Sequence, residues 1–586
     1  ALDTETEGFD PHTNKTLSVQ LGDGNNQYVI DCKTVEIELF KPLLESNIII
    51  MHNAQFDLKF LMHLGINITK VYDTFLAECI LTTGYENQEV SLGHVAKKYC
   101  TIELDKTIRG QIFREGLSDR VILYGANDVR YLHAIRDLQL EQIKKFNLEN
   151  VLELENTVVR VFAKMSYDGI SLNTAKWLEI AEITKQNVCN LVEVLDNIVL
   201  NEDRLSRFVP QGFQQNLFDF KERKIDINWA SPIQKLHVLK ALGLKVDSTG
   251  DRELQRNKKA HKLVATLIDY NKQDKLASSF GHDFLKHINK NTGRIHAGFW
   301  QILSTGRISV SNPNLNQIPS KGELAKVMRS AFIPRKGYKI VGGDYSSFEL
   351  AIIAEYSNDP LWMNTLKNGG NLHSELCAAT FDIPIEDVKN PFPPKPDITY
   401  RDVQKTVDFG LAYGMSHFKL ADTIDVSERE AMKIINKFFK VVPKVKEFLN
   451  ALGKFGKKNG YIFTAKPFRR IRWFTNWNKL QNNPDDPNKL KWLGEIERAA
   501  KNMPIQGTNA DVIKLALIKV QQEIDNNNWP VRILLSVYDE IQTECLEDKT
   551  EEWKSKLEEL MIKAAKIVLK KVPIQADCNI SDHWSK

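Results

Sequence analysis

Over residues 1–145, short apolar runs alternate with stretches of helical period, as in "SNIIIMHNAQFDLKFLMHLG" (46–65). Such alternation predicts a three-layer α/β domain. From about residue 150 the pattern turns helical. "VLELENTVVRVFAKM" (151–165) spaces its apolar residues at three and four. "SPIQKLHVLKALG" (231–243) offers Ser231 as N-cap, Pro232 at the first helical position and Gly243 as the stop. Strands return in "GYKIVGGDYSSFEL" (337–350), a strand ending at Asp344 that leads into a helix. "RILLSVYDEIQTEC" (532–545) predicts two apolar strands around Asp539 and Glu540. The Pro-rich "NPFPPKP" (390–396) and "QNNPDDPNK" (481–489) are expected to be exposed connectors. No internal repeat is evident.

One helical segment has an unusual face. "RDVQKTVDFGLAYG" (401–414) sets Arg401, Lys405, Phe409 and Tyr413 four residues apart. At ~3.6 residues per turn they form a slanted stripe, cationic at one end and aromatic at the other. A nucleoside triphosphate has the same polarity, polyanion to stackable base. A solvated amphipathic helix with its aromatic end in a core would show the same spacing.

Composition sets wide bounds. With 586 residues, 42% of them hydrophobic and 26% charged, the chain should form several domains of an ordinary globular protein. The net charge of +4 comes from 79 basic and 75 acidic residues, so a nucleic-acid partner would need locally clustered charge. The seven cysteines are scattered, with no C-x-x-C pair, which favours a reducing compartment over a zinc or disulfide framework. No apolar run approaches a membrane span, and no signal peptide is visible. The chain opens at Ala1, without Met and directly on an expected strand, which leaves room for residues upstream.

Acidic residues recur in a telling order. In "ALDTETEG" Asp3 and Glu5 lie two apart, on one face of a strand. "HNAQFD" places Asp57 in the first turns of a helix, with Asn53 nearby, and "YGANDVRYLHAI" places Tyr124 and Asp128 on one helical face. Three Asp and one Glu can hold two divalent ions, and Tyr124 can orient an attacking water. With the helix-like "SLGHVAKKY" (91–99) between them, these motifs resemble the DEDDy family of 3′→5′ exonucleases. That resemblance implies catalytic and metal-binding roles for Asp3, Glu5, Asp57 and Asp128, with Tyr124 assisting.

"DYSSFEL", "RDVQKTVDFGLAYG" and "SVYDE" are similar, in order and approximate spacing, to motifs A, B and C of family A DNA polymerases. "GRIHAGFWQILSTGRISVSNPNLNQIP" (293–319) and "ERAAKNMPIQGTNADVIKLAL" (497–517) extend the likeness. It implies an α/β exonuclease domain of RNase H-like fold (1–145) before an α+β right-hand polymerase domain (146–586). In that domain the thumb would span about 150–295, the palm about 296–365 and 500–586, and the fingers about 366–499.

The resemblance also implies roles. Asp344 and Asp539, with the Tyr345 carbonyl, would hold metal, with Glu540 nearby. Arg401 and Lys405 would grip the triphosphate, Lys405 also giving a proton to pyrophosphate, and His373 would add a phosphate contact. Phe409 would stack near sugar and base. Tyr413 and Glu349 would crowd the 2′ position. Arg307 and Gln506 would read the minor groove, while Asn312, Asn314, Gln317, Arg498 and Asn502 hold primer and template. Two Mg²⁺ ions per active site are implied, with Mn²⁺ as the alternative. Primer–template DNA and dNTPs are the implied partners of a monomer, and replisome partners such as a helicase or clamp stay unspecified. The expected location is cytoplasmic, the host's cytoplasm for a phage chain, with an organelle as the alternative.

Several positions depart from the family pattern. Tyr538 stands where motif C usually has His, with one hydrogen bond still available to the primer end. Ser347, Phe348 and Ala351 replace the usual Gln, Ile and Arg of motif A, and Asp408 replaces a common Asn. The cation–aromatic stretch 453–474, with Arg469, Arg470 and Arg472, is expected to contact single-stranded template. The basic stretch 251–262 suits either duplex backbone or plain solvation. Two other functions stay open at this point: an enzyme used chiefly as a nuclease, and a silent DNA-binding subunit on a polymerase fold.

Overall fold

A computed structural model describes residues 1–105, 107–108, 112–209, 225–319 and 322–585. Residues 210–224 of the expected thumb segment therefore lie outside the described residues. The chain divides into two compact units, one of Ala1–Ser171, Asn289–Ser320 and Phe332–Lys586, the other of Leu172–Ile288 and Lys321–Ala331.

The first unit opens with three antiparallel strands, Leu2–Thr6, Thr16–Gly22 and Gln27–Asp31, paired in that order. Strands Ile49–Met51 and Val71–Asp73 form a parallel pair, fully buried and apolar but for Asp73, as buried parallel strands tend to be. Asp73 caps the helix Thr74–Leu81 and also accepts the backbone N–H groups of Asn53 (2.9 Å) and Ala54 (2.8 Å). It thereby fixes the start of the helix Ala54–His63, where Asn53 takes a left-handed turn at φ 68°.

Further along the same unit lies a four-stranded antiparallel sheet. Its order is Val531–Val537, Glu540–Leu546, Tyr338–Tyr345, Ala576–Ser581. The helices Lys489–Asn527 and Thr550–Val568 pack on each other, and the second also packs on the sheet. Trp553 and Trp584 are wholly buried here. Among the described residues no helix is long and apolar enough to cross a membrane.

The second unit packs the helices Thr174–Leu200 and Lys262–Phe280 against each other. Leu195, Trp229, Val238, Leu263 and Tyr270 belong to its core. The expected helix forms over Pro232–Ala241, capped by the Ser231 side chain, and Gly243 follows at φ 83°.

Two expectations are corrected. The "NPFPPKP" segment is not a plain connector: Pro391–Phe392 pairs with Lys395–Thr399 as a short hairpin. Phe392 is buried against Phe381 and Tyr400, with ring centroids 6.0 and 5.3 Å away, and this aromatic contact outweighs the prolines. The second correction concerns Arg470. Its side chain is 0% exposed and bonds the carboxylates of Asp511 and Glu155. Arg469 lies over the Phe463 ring at 4.5 Å. Trp473 bonds back to the backbone of Leu81 and Thr83. The Arg470 charge is thus met by buried carboxylates, which removes Arg470 from any template contact.

Candidate active sites

The first site grows from the opening strand. Alternation along Leu2–Thr6 sends Asp3 and Glu5 to one face and Thr4 to the other. The helix Asp119–Arg130 packs on this sheet, and Gly125 allows close approach, since a Cβ there would meet the Gln20 side chain at 3.1 Å. That helix delivers Asp128, and carboxylate oxygens of Asp3, Glu5 and Asp128 lie within 4.8 Å of one another. Three acidic oxygens at that spacing can serve as ligands to a hard divalent cation. Tyr124, one turn before Asp128, is buried and hydrogen-bonds its carboxylate. Burial, then the charges of Asp128 and Glu5, raise the Tyr124 pKa, so the phenol keeps its proton.

Asp57 comes from the other direction. Its Oδ1 accepts the Thr4 hydroxyl at 2.6 Å, and burial pushes its carboxyl up to about 7. It is not one of the three acids that share the 4.8 Å cluster. Asp73, which sequence reasoning passed over, holds the backbone that carries Asp57. Its signal was present in the sequence, as an Asp immediately before a helical run.

The second site sits at one end of the four-stranded sheet. Asp344, one residue before the end of its strand, lies in register with Glu540, and the Tyr345 N–H donates to the Asp539 carbonyl at 3.4 Å. The strands Val531–Val537 and Glu540–Leu546 are joined by Tyr538 and Asp539 alone, with Tyr538 at φ 57°. A two-residue hairpin calls for positive φ, and this turn presents Asp539 beside Asp344. Glu540 is buried and accepts the Trp584 indole N–H at 3.3 Å. The Tyr345 ring stacks on Phe348, 4.6 Å between centroids, and its hydroxyl donates to the Met561 carbonyl at 2.6 Å. Two aspartates at adjacent strand ends suit divalent metal as well.

The striped helix spans Tyr400–Ala412, opened by a capping box between Thr399 and Asp402. Val403, Gln404, Val407, Asp408 and Leu411 face inward, while Arg401, Lys405, Phe409 and Tyr413 are half-buried on the other side. The Phe409 and Tyr413 rings stack at 6.5 Å. Arg401 donates to Ser374 Oγ (3.2 Å) and Asn371 Oδ1 (3.3 Å), at the start of the helix Leu372–Phe381 that carries His373. His373 Nδ1 lies 2.6 Å from Asp408 Oδ2, and its ring is 5.5 Å from Phe409. Burial raises the Asp408 pKa, while His373 and Gln404 draw it back.

Arg307 and Glu349 form an ion pair. Burial raises the Glu349 carboxyl, opposed by Arg307 and by a hydrogen bond from Asn509. Arg498, Asn502 and Gln506 lie four apart along Lys489–Asn527, and Asn502 Nδ2 donates to Gln506 Oε1 at 3.1 Å. Gly414, at φ 74°, ends the striped helix so close to Arg498 that a Cβ would meet its side chain at 2.9 Å. Asn312 and Gln317 are exposed beyond the strand Ser309–Ser311, and Asn314 is half-buried between them.

Residues 211–586 match the family described as DNA polymerase family A, and residues 1–143 match the family described as 3′-5′ exonuclease. DNA polymerase I of Borreliella burgdorferi is 29% identical over 613 residues, covering 100% of this chain and 62% of the relative. DNA polymerase I of Caldicellulosiruptor bescii is 37% identical over 286 residues, 49% of this chain and 32% of the relative. The Aquifex aeolicus enzyme of the same name is 29% identical over 602 residues, 100% of this chain and 95% of its own length. The chain thus spans less than two thirds of the first two relatives. A solved structure, the POL domain of Pol1 from M. smegmatis in complex with DNA primer-template and dNTP, shares the fold at a TM-score of 0.82 and 24% identity, covering 100% of this chain and 95% of its own. The family match takes in well over half the residues, and this chain belongs to DNA polymerase family A, with a 3′-5′ exonuclease domain at its front.

Proposed function

We propose that the chain extends a DNA primer on a template with dNTPs and, at a separate centre, removes nucleotides from the 3′ end. The observation that supports this reading is Asp344 in register with Glu540, with the Tyr345 N–H bonded to the Asp539 carbonyl, so that two aspartates share one sheet end, in a chain that also sets a cation–aromatic stripe on one helix. Asp344, Asp539 and the Tyr345 carbonyl would hold Mg²⁺ in one centre, and Asp3, Glu5, Asp57 and Asp128 in the other. Bound there, such ions lower the pKa of an attacking hydroxyl or water and stabilise charge on phosphate oxygens.

The protein's own groups do the positioning. Arg401 and Lys405 receive the triphosphate, His373 adds a contact, and Lys405 gives a proton to departing pyrophosphate. Phe409 stacks near the sugar and base, while Tyr413 and Glu349 crowd the 2′ position. Arg307 and Gln506 meet minor-groove acceptors, which correct base pairs share. Asn312, Asn314, Gln317, Arg498, Asn502 and Tyr538 hold primer and template, and Glu540 steadies the hairpin that bears Asp539. In the exonuclease centre Tyr124, keeping its proton, orients the attacking water.

The test is a labelled, mismatched primer–template incubated with Mg²⁺, with and without dNTPs. Shortening without dNTPs and full extension with them are expected. Shortening in both lanes would leave a nuclease alone, and a bound but unaltered primer would leave only a binding protein.

A further inference from the structure

Three residues from three distant segments meet beside the second site. Arg307 follows the strand Gly298–Trp300, Glu349 opens the helix Phe348–Ser357, and Tyr538 forms half of the two-residue hairpin. Arg307 is ion-paired to Glu349, and its guanidinium carbon lies 6.0 Å from the centroid of the Tyr538 ring, within the range of a cation–π contact. The side chains of Arg307 and Glu349 are 27% and 13% exposed, so their pairing is partly shielded from water. Tyr538 is 56% exposed, and its ring gains little from burial; contact with Arg307 is what the structure gives it to do. A histidine, the usual residue of motif C, offers a smaller and more polar ring to a cation than tyrosine does.

We propose that Tyr538 is a positioning residue for sugar selection: its ring steadies Arg307, and Arg307 holds the Glu349 carboxylate in the place where a 2′-hydroxyl would have to fit. The geometry supports a relay of two contacts. The ring limits where the guanidinium can go, and the guanidinium in turn limits the carboxylate. Without the ring, Arg307 has more freedom, and Glu349 can withdraw far enough to admit a ribonucleotide. The phenolic hydroxyl has no part in this relay, which separates it from a hydrogen bond to the primer end. The inference rests on the reading of Glu349 as the residue that crowds the 2′ position.

The test compares kcat/KM for a dNTP and its matching rNTP on one primer–template, using the full chain. Glu349→Ala, Tyr538→Ala, Tyr538→Phe and the double variant Glu349→Ala with Tyr538→Ala are measured alongside the wild type. Tyr538→Ala is expected to lower the dNTP preference about fivefold, the scale of one cation–π contact. Tyr538→Phe should keep it, and Tyr538→Ala should add nothing once Glu349 is gone. Equal loss in the Phe and Ala variants would overturn the proposal by assigning the effect to the hydroxyl. Additive losses in the double variant would overturn it by removing the relay. A Glu349→Ala enzyme with unchanged sugar preference would overturn the underlying reading of Glu349, and the relay with it. Melting temperatures of all variants identify any that fail to fold, and the exposed Tyr538 makes its substitutions the safest of the set.

Discussion

Both oxygens of Asp408 are taken, one by His373 Nδ1 at 2.6 Å and the other by Gln404 Nε2 at 2.7 Å, in a position only 1% exposed. The 2.6 Å contact holds Nδ1 of His373 against Asp408 and leaves Nε2 as the other ring nitrogen. Asp408→Ala should leave the imidazole unanchored. The expected outcome is a dNTP KM raised about tenfold, as for loss of one charge-assisted hydrogen bond, with kcat changed less. Asp408→Asn should fall between. Steady-state kinetics on a matched primer–template would show it, and an unchanged KM would make the pair a purely structural clamp.

In the exonuclease centre, Tyr124→Phe keeps the ring and removes the hydroxyl that meets Asp128. Shortening of a single-stranded primer should slow by roughly 10²-fold or more, while primer extension stays at the wild-type rate. Asp73→Ala should slow the same reaction through a different route, because it releases the backbone N–H groups of Asn53 and Ala54 that set the helix bearing Asp57. Exonuclease and extension assays run on the same preparations separate these local effects from general unfolding.

A fully buried cluster joins Glu155, Arg470, Asp511 and Lys514, with Lys514 Nζ 2.5 Å from Glu155 and Arg470 Nε 2.9 Å from Asp511. Removing one partner leaves an uncompensated buried charge. Glu155→Ala should therefore cost about 3–5 kcal/mol of stability, measured by denaturant unfolding. Because Arg470 is enclosed, its replacement should change stability while leaving the salt dependence of DNA binding where it was.

The same cluster has a pH signature. Burial pushes Lys514 down to about 8 from the ordinary 10.5, despite the Glu155 carboxylate beside it. Between those values the unfolded chain holds a proton that the folded chain has released, so this group's contribution favours folding more as pH rises from 8 to 10. Lys514→Met removes that slope. The difference in unfolding free energy between wild type and variant should move toward the wild type by at most about 1.4 kcal/mol per pH unit. Parallel curves over that window would contradict the shift.

Gly343 lies one residue before Asp344, where a Cβ would meet Met561 Sδ at 2.5 Å and Cys578 Sγ at 3.1 Å. Gly343→Ala should cost about 1–3 kcal/mol from overpacking. Since the strand must shift to make room, extension should fall beyond what the stability loss explains. Kinetics well below the melting transition would reveal that.

Much of this molecule was legible in the order of its residues. Local signals carry a physical cause that acts over a turn or two: Ser231 and Pro232 start a helix, a strand carries Asp344 one residue before its end at Tyr345, and a four-residue period makes one stripe of Arg401 to Tyr413. Motif order then suggested two catalytic centres, and both family matches agree with it. Within the arginine-rich stretch Arg470 departs from expectation, because composition cannot distinguish a cation facing solvent from one facing a buried carboxylate. Arg470 is 41 residues from Asp511 and 315 from Glu155.

What the sequence determined by itself was the inventory of chemistry and the local elements that carry it, because capping, alternation and helical period depend on near neighbours. What only the tertiary structure decided was partnership. Asp408 beneath His373, Arg307 against Glu349 and Tyr538, and Glu155 within a buried ionic cluster are contacts between segments far apart in the chain. Such pairs form when packing excludes water and each buried charge must find its counterpart, a condition that no single stretch of sequence records.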